Sequence, residues 1–467
     1  MILSVEVEQL IASLRSQVAA LQAEVGELKR QLGQDSSTSS KPPSSDGLKK
    51  KPRIAGSLRE ASGKPSGGQK DHKGDTLRQV ADPDRIVRHD ARTCRHCQAR
   101  LGAGMALGVE TRQVFDLAER PLVVTEHQAS IYRCQRCQGV TKAAFPAGVI
   151  SPAQYGERIK AAAIYLNVQQ LIPEDRAAQA LSDLFGAPRL CAASVAAWVR
   201  QKARDLALVH ARIGARLAGT KVRHLDETGL RVAGALGWLH TTSSQTLTFY
   251  RAGQRRGAIP EDLKGGVVAH DGFAPYFRLD SVAHALCNAH HLRELKGLIE
   301  LDGETWAQAM RDLLLEANAA VGKARAAGAK ALAPDEIEAF VERFWEAVRE
   351  GMAFHRALPR LERNPSVPRG RGKQRPGLNL LDRFKKFKDD TLRFLTDFDV
   401  PFTNNLAEQD LRMMKVKMKI SGAFRTSQGA QDFACLRSVV STARKQRTNI
   451  LQILAANPDQ ISDALLA

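Results

Sequence analysis

At Lys221-Val222-Arg223-His224-Leu225-Asp226-Glu227-Thr228-Gly229 the hydrophobic period of the chain changes from helical to alternating, and Val222 to Asp226 reads as a strand. Gly237-Trp238-Leu239-His240-Thr241-Thr242 and Thr246-Leu247-Thr248-Phe249-Tyr250 follow as a hairpin pair. Gly265-Gly266-Val267-Val268-Ala269-His270-Asp271-Gly272 reads as a short buried strand ending in a carboxylate, and Val282 to Cys287 as one more. Asn288 then opens a helix through His290 and Leu298.

Three meandering strands followed by strand–helix units resemble a ribonuclease-H-like layer fold, of the kind found in retroviral integrases. In such a layer Asp226 lies on the central strand and Asp271 at the end of the fourth, so neighbouring strand ends bring two carboxylates together. Each has an ordinary alternative reading. Asp271-Gly272 is common turn chemistry, and Asp226-Glu227-Thr228-Gly229 could close a strand. Strand alternation aims Asp226 and Glu227 at opposite faces, so one of them faces the site.

Upstream, 151–218 is helical. One helix runs from Arg158 to Ile172, a second from Pro173 to about Gly186, and a third capped by Ser194 carries Val195, Trp198 and Val199. The outline is compatible with a helix-turn-helix, as it is with many helical hairpins. Residues 81–150 hold Cys94-Arg95-His96-Cys97 and Cys134-Gln135-Arg136-Cys137 around strand-like pieces at 113–117 and 122–127. Two such knuckles match a tetrahedral four-sulfur Zn²⁺ site, with Cys94, Cys97, Cys134 and Cys137 as ligands. Residues 35–80 are Ser-, Pro- and Lys-rich and read as a flexible basic linker. In 1–34, Val7, Ile11, Leu14, Val18, Leu21, Val25, Leu28 and Leu32 keep a 4,3 spacing, which predicts a parallel dimeric coiled coil.

Downstream, 301–400 reads as an all-helical insertion, with helices at Trp306–Ala327, Asp335–Arg363 and Leu380–Phe398. Its basic loop, 364–377, and Lys385, Lys386 and Lys388 are DNA-contact candidates. Residues 401–467 complete the core. Asn404-Asn405-x-x-Glu408 begins a helix whose basic residues Arg412, Lys415, Lys417 and Lys419, with Arg425 beyond it, are further candidates. Glu408 could alternatively close a capping box on the helix start.

Composition agrees with a polyanion partner. Lys and Arg number 69 against 50 Asp and Glu, a formal net charge of +19 over 467 residues. Aromatics at 5% argue against a base-stacking single-strand binder. Seven cysteines exclude a disulfide scaffold, and no apolar run reaches the ~18 residues of a membrane span. The start, Met1-Ile2-Leu3-Ser4-Val5-Glu6, has no signal-peptide pattern, so a cytoplasmic, nucleoid-associated protein with no membrane partner is expected.

Lys41-Pro42-Pro43-Ser44-Ser45-Asp46, Asp226-Glu227-Thr228, Asp271-Gly272-Phe273, Cys287-x-x-His290 and Asn404-Asn405-x-x-Glu408 together resemble transposases of the insertion-sequence sixty-six family. The tract after Cys287, Asn288-Ala289-His290-His291-Leu292-Arg293, is less Arg-rich than the family's commoner form. The resemblance implies a DDE-type transposase with Asp226, Asp271 and Glu408 as catalytic and metal-holding triad. It implies Mg²⁺ (or Mn²⁺) as catalytic cofactor beside structural Zn²⁺, and double-stranded element ends and target DNA as partners, with helper proteins of the element and a homodimer or higher oligomer. Cys287 and His290 resemble a Cys-x-x-His element found beside many such sites, and the expectation is a buried structural pair, with metal binding as the alternative. The runner-up is a catalytically inactive dimeric, zinc-containing DNA-binding regulator derived from a transposase. A structure-specific nuclease is a third reading, favoured less because a dimerising N-terminus suits paired ends.

Overall fold

The computed structural model describes residues 79–89, 91–101, 107, 109–115, 122–188, 190–260, 262–358 and 374–466, with scattered positions between 11 and 38. It divides into two units, Pro52–Gln128 on one hand and Met1–Lys51 with Ala129–Ala467 on the other.

In the smaller unit, Thr93 bridges Arg100 antiparallel across the first cysteine knuckle. The Gln113 amide exchanges two 2.8 Å hydrogen bonds with the Val80 backbone. The strands expected at 113–117 and 122–127 do not form over 113–115 or 122–127, and Asp116 and Leu117 lie outside the described residues. Val114, Val123 and Val124 are 82–89% exposed, so β-branched side chains there lack the cross-strand neighbours that stabilise a sheet.

The larger unit begins with a hairpin around the second knuckle, β1 (Ile131–Arg133) and β2 (Val140–Lys142). Helices α1 (Glu157–Ile164), α2 (Glu174–Phe185), α3 (Ala192–Asp205) and α4 (Ala207–Ala218) follow. The expected helix over 158–172 is interrupted, because α1 widens into a π turn at Tyr165–Gln169 and Leu171 is left-handed at φ +61°. Cys191, three residues before Ser194, takes the α3 cap position. Ala163, Ala177, Leu181 and Val195 form the small core of this bundle.

The central sheet holds β3 (Val222–Val232), β4 (Ala235–Ser243), β5 (Thr248–Gly253), β6 (Val267–His270) and β7 (Ala283–Leu286), in the order β5-β4-β3-β6-β7. The first three form an antiparallel meander; β6 runs parallel to β3 and β7 parallel to β6. The β3–β4 turn has Ala233 at φ +49° and Gly234 at φ +81°, the two positive values that suit the twist of a two-residue hairpin. α5 (Asn288–Gly297) leaves β7.

A helical insertion comes next: α6 (Thr305–Ala326), α7 (Pro334–Ala357), α8 (Pro376–Lys386) and α9 (Lys388–Leu392). It carries its own core of Trp306, Met310, Leu314, Phe344, Leu381 and Phe384. The expected helices are shorter and more broken, α7 ending at Ala357 and α8 giving way to α9 at Phe387. Pro376 opens α8, so the end of the expected basic loop is helical, and 359–373 lie outside the described residues.

α10 (Asn405–Ser421) returns to the sheet, after which Phe424 pairs with the end of β3. α11 (Ser427–Lys445) is buried along most of its length against β5, where Ser438 Oγ accepts from Tyr250 N–H at 2.8 Å. α12 (Ile450–Ala455) and α13 (Pro458–Leu466) close the chain. The main core joins α4, α10 and α11 to the sheet through Ile213, Leu239, Tyr250, Leu411, Leu436 and Val439. The architecture is mixed α and β, with a helical C-terminal region. Of the predicted heptad, Ile11, Leu14, Val18 and Val25 are helical, the last three about half exposed; the rest of 1–34 is mostly outside the described residues.

The approach to β6 depends on Gly265 and Gly266, at φ +60° and +62°. A Cβ on Gly266 would lie 2.5 Å from the Lys221 carbonyl oxygen, whereas one on Gly265 would meet open space. Gly265→Ala should therefore cost about 1 kcal/mol, the left-handed penalty alone, and Gly266→Ala roughly 3 kcal/mol or more. Thermal denaturation of the two neighbours checks this, and equal losses would mean that the β3–β6 approach is not the constraint.

Candidate active site and metal centres

β3 and β6 pair as Val222 with Val267, Arg223 with Val268 and His224 with Ala269. Asp226 lies two residues past the last of these pairs on β3, and Asp271 two residues past it, just after β6, so both carboxyls leave the same end of two neighbouring strands. Burial first, then Asp271 and Glu227, push the Asp226 carboxyl well above the usual carboxylate range, and Glu408 adds to the shift. Asp271 is raised by burial and then by Glu227, while its Oδ1 accepts from Phe273 N–H at 2.9 Å.

Glu227 turns to the other face of β3, as alternation requires. Its Oε1 pairs with Arg256 at 2.8 Å, and Tyr276 O–H donates to its Oε2. Arg256 lies in turn 4.1 Å over the Phe273 ring. Neither Arg256 nor Tyr276 stood out in the sequence, since neither belongs to a spacing pattern.

Glu408 sits in the first turn of α10. The capping-box geometry is absent, since Asn404 is the cap residue and makes no side-chain cap bond. Asn404, 1% exposed, instead donates from Nδ2 to Leu225 O at 2.7 Å and meets His224 Nδ1 at 2.9 Å through Oδ1. Its backbone N–H donates to Cys287 Sγ at 3.1 Å. This side chain ties the Glu408 helix to the Asp226 strand, a role the Asn-Asn spelling did not reveal.

Cys287 Sγ, His290 and Glu408 offer ligand atoms that all lie within 4.8 Å of one another. Burial pushes the Cys287 thiol up to about 11. Burial and then Arg293 push His290 down to about 3. His290 Nδ1 and Arg293 Nη2 each lie 3.9 Å from Glu408 Oε1. His290 Nδ1 and Glu408 Oε1 are buried without hydrogen-bond partners.

The two cysteine knuckles share one turn. Cys94 N–H donates to Ala99 O at 2.9 Å and Gln98 N–H returns to Cys94 O at 3.0 Å. Cys134 N–H donates to Gly139 O and Gln138 N–H to Cys134 O, both at 2.9 Å. Gln98 and Gln138 both have φ near +60°. Backbone N–H groups of Cys97 and His96 lower the Cys94 thiol pKa, and those of Cys137 and Arg136 lower that of Cys134. Each knuckle therefore favours thiolate, the form a zinc ion takes.

Of the basic candidates, Lys385, Lys386, Arg412, Lys415, Lys419 and Arg425 are exposed, and Lys388 is half-buried beside Asp389 at 2.8 Å. Lys417 is not available to DNA. It is 7% exposed, with its amine over the Phe424 and Phe433 rings, because helical spacing puts it on the inward face below Met414. No helix among the described residues is long and apolar enough to cross a membrane.

A family model described as "Transposase IS66 family" matches residues 152–432. A second, described as the zinc-finger binding domain of that transposase, matches 91–138 and so spans all four knuckle cysteines. A third, a family of unknown function, matches 2–78. No curated protein and no solved structure matches.

The raised Asp226 pKa has a definite sign in stability. Its contribution is full below the ordinary value of 3.8 and is lost as pH climbs through the raised folded pKa. Metal-free protein should lose thermal stability as pH rises from about 4 towards neutrality. Asp226→Asn should flatten that slope, and added Mg²⁺ should restore stability most at the high-pH end. Melting curves against pH test this; an identical slope in Asp226→Asn would remove the carboxyl cluster as its source.

Proposed function

The chain belongs to the IS66 family of transposases, a zinc-binding insertion-sequence family, and on that premise we propose that it is an active DDE-type enzyme. Asp226, Asp271 and Glu408 are its triad. The single observation that carries this is the parallel β3–β6 pairing, with Asp226 and Asp271 each two residues past its last pair, Asp226 raised by burial and by Asp271, and Asp271 raised by burial and by Glu227. The strand order β5-β4-β3-β6-β7, with three antiparallel strands followed by two parallel ones, supports a ribonuclease-H-like core.

These residues fit a pair of hard divalent cations, since a few carboxylates leave coordination positions for water and phosphate. Two Mg²⁺ or Mn²⁺ ions, when bound, supply activation of the attacking water or 3′-hydroxyl and stabilisation of the leaving oxyanion. Asp226, Asp271 and Glu408 would hold these ions. Arg256 and Tyr276 hold the Glu227 carboxylate on the other face of β3. Lys385, Lys386, Arg412, Lys415, Lys419 and Arg425 supply phosphate contacts to duplex element ends and target. The protein works in the cytoplasm on nucleoid DNA. Cys94, Cys97, Cys134 and Cys137 hold the structural zinc, and the N-terminal heptad brings two copies together on paired ends.

Glu408→Gln keeps the shape and removes the charge. Nicking and strand transfer on element ends should both fall at least about 100-fold, the scale of losses at metal sites, while duplex binding persists. Asp410, two positions on, pairs with Lys445 at 2.7 Å on the far side of the helix. Asp410→Asn should lower stability and leave the folded enzyme active. A Glu408→Gln enzyme at wild-type rate would sink the triad.

For the zinc module, Cys94→Ser or Cys134→Ser should lose metal and expose residues 81–150 to protease. Undiminished zinc and protection in both variants would overturn the four-sulfur assignment.

A further inference from the structure

We propose that Cys287 Sγ, His290 Nδ1 and Glu408 Oε1 form a second zinc site, separate from the cysteine knuckles, that fixes the orientation of Glu408. Three different ligand types converge there within 4.8 Å of one another. The edges of a tetrahedral zinc centre with sulfur, nitrogen and oxygen ligands are about 3.3–3.7 Å. The observed 3.9 Å between His290 Nδ1 and Glu408 Oε1 is thus close to a bound geometry, needing only side-chain rotation.

Two further features point to a missing partner. His290 Nδ1 and Glu408 Oε1 are both buried with no hydrogen bond, although they face each other. Buried polar atoms rarely stay unpaired, and a cation between them satisfies both. The Cys287 sulfur already accepts the Asn404 N–H at 3.1 Å, the outer contact that steadies a metal-bound thiolate. Cys287 leads into α5 and His290 lies in its first turn, so backbone geometry sets the spacing of these two ligands before Glu408 arrives from α10.

Thiolate and imidazole select zinc over magnesium, so the cluster does not compete for the ions at Asp226 and Asp271. On binding, Cys287 releases its thiol proton to solvent, His290 coordinates as neutral imidazole and Glu408 as carboxylate. The two negative charges balance the ion, with Arg293, 3.9 Å from Oε1, at the edge. A fourth position stays open to water. Glu408 Oε2 remains free for the carboxylate pair.

The site does not depend on catalysis, so metal content tests it apart from activity. Full-length protein saturated with zinc and then desalted should carry two zinc ions per chain by elemental analysis. His290→Ala and Cys287→Ser should each carry one, and cobalt-substituted His290→Ala should lose part of the thiolate-to-metal charge-transfer band. Should Cys287→Ser fail to fold, His290→Ala, at a partly open position, carries the test alone. One zinc in the wild type, or two retained in His290→Ala, would overturn the proposal. Loss of strand transfer in Glu408→Gln with two zincs retained would leave the triad standing and remove Glu408 from the zinc site.

Discussion

The position of Glu408 depends on Asn404. This buried residue joins three elements that are far apart in sequence: its side-chain amide meets Leu225 O and His224 Nδ1 on β3, its backbone N–H donates to Cys287 Sγ at the end of β7, and it starts α10. Each bond is made away from competing water, where a hydrogen bond is stronger and an orphaned partner costs more. No other side chain among these contacts could satisfy a backbone carbonyl and an imidazole nitrogen together, since that takes a donor and an acceptor on one short stem. The distance from Asp226 to Glu408 is thereby set by a rigid polar clamp. A hydrophobic contact, which is non-directional, would leave the helix start free to slide.

Around that clamp, charge is sorted by face. The chain carries +19 overall, yet several of its cations pair with carboxylates other than Asp226 and Asp271. Arg256 pairs with Glu227, Lys445 with Asp410, and Lys221 with Asp397 and Asp399. Asp226 and Asp271 are left raised by burial and by neighbouring carboxylates. A protein built for stability alone would have neutralised them, and perturbed carboxyls in a cleft are a recurring sign of function.

Much of this was legible in the sequence, for definite reasons. The period-2 runs at 222–226 and 237–250 gave the meander, and Gly265-Gly266 before an apolar run gave β6, because local alternation and turn chemistry are properties of neighbours in the chain. Asp226 and Asp271 stood out at expected strand ends, whereas Glu408 and the Cys287–His290 spacing were singled out by the family resemblance. The clamp of Asn404 and the Glu227–Tyr276–Arg256 set were not, since they join residues 29 to 180 positions apart. Lys417 misled because a basic run on a helix looks like one charged face, while the 100° step turns every third or fourth residue inward. The valines of 113–127 misled in the opposite sense, since β-propensity is a statement about partners and these have none.

The cost of the site is met elsewhere in the fold. Asp226, Asp271, Cys287 and His290 are all pushed by burial away from their charged forms, and each is a free-energy penalty when no cation is present. The offset comes from two apolar cores. One is the nearly all-buried α11 against β5, and the other is the insertion's packing around Trp306 and Phe344. The insertion thus has a structural role beside any DNA contact: it holds α9 beside β7, where Arg393 donates to His284 O at 2.6 Å and Asn288 Nδ2 donates to Thr391 O at 3.0 Å. These bonds fix the start of α5, and with it Cys287 and His290. Stability supplied at a distance therefore reaches the site as geometry, through side-chain hydrogen bonds to backbone carbonyls beside β7 and at the start of α5.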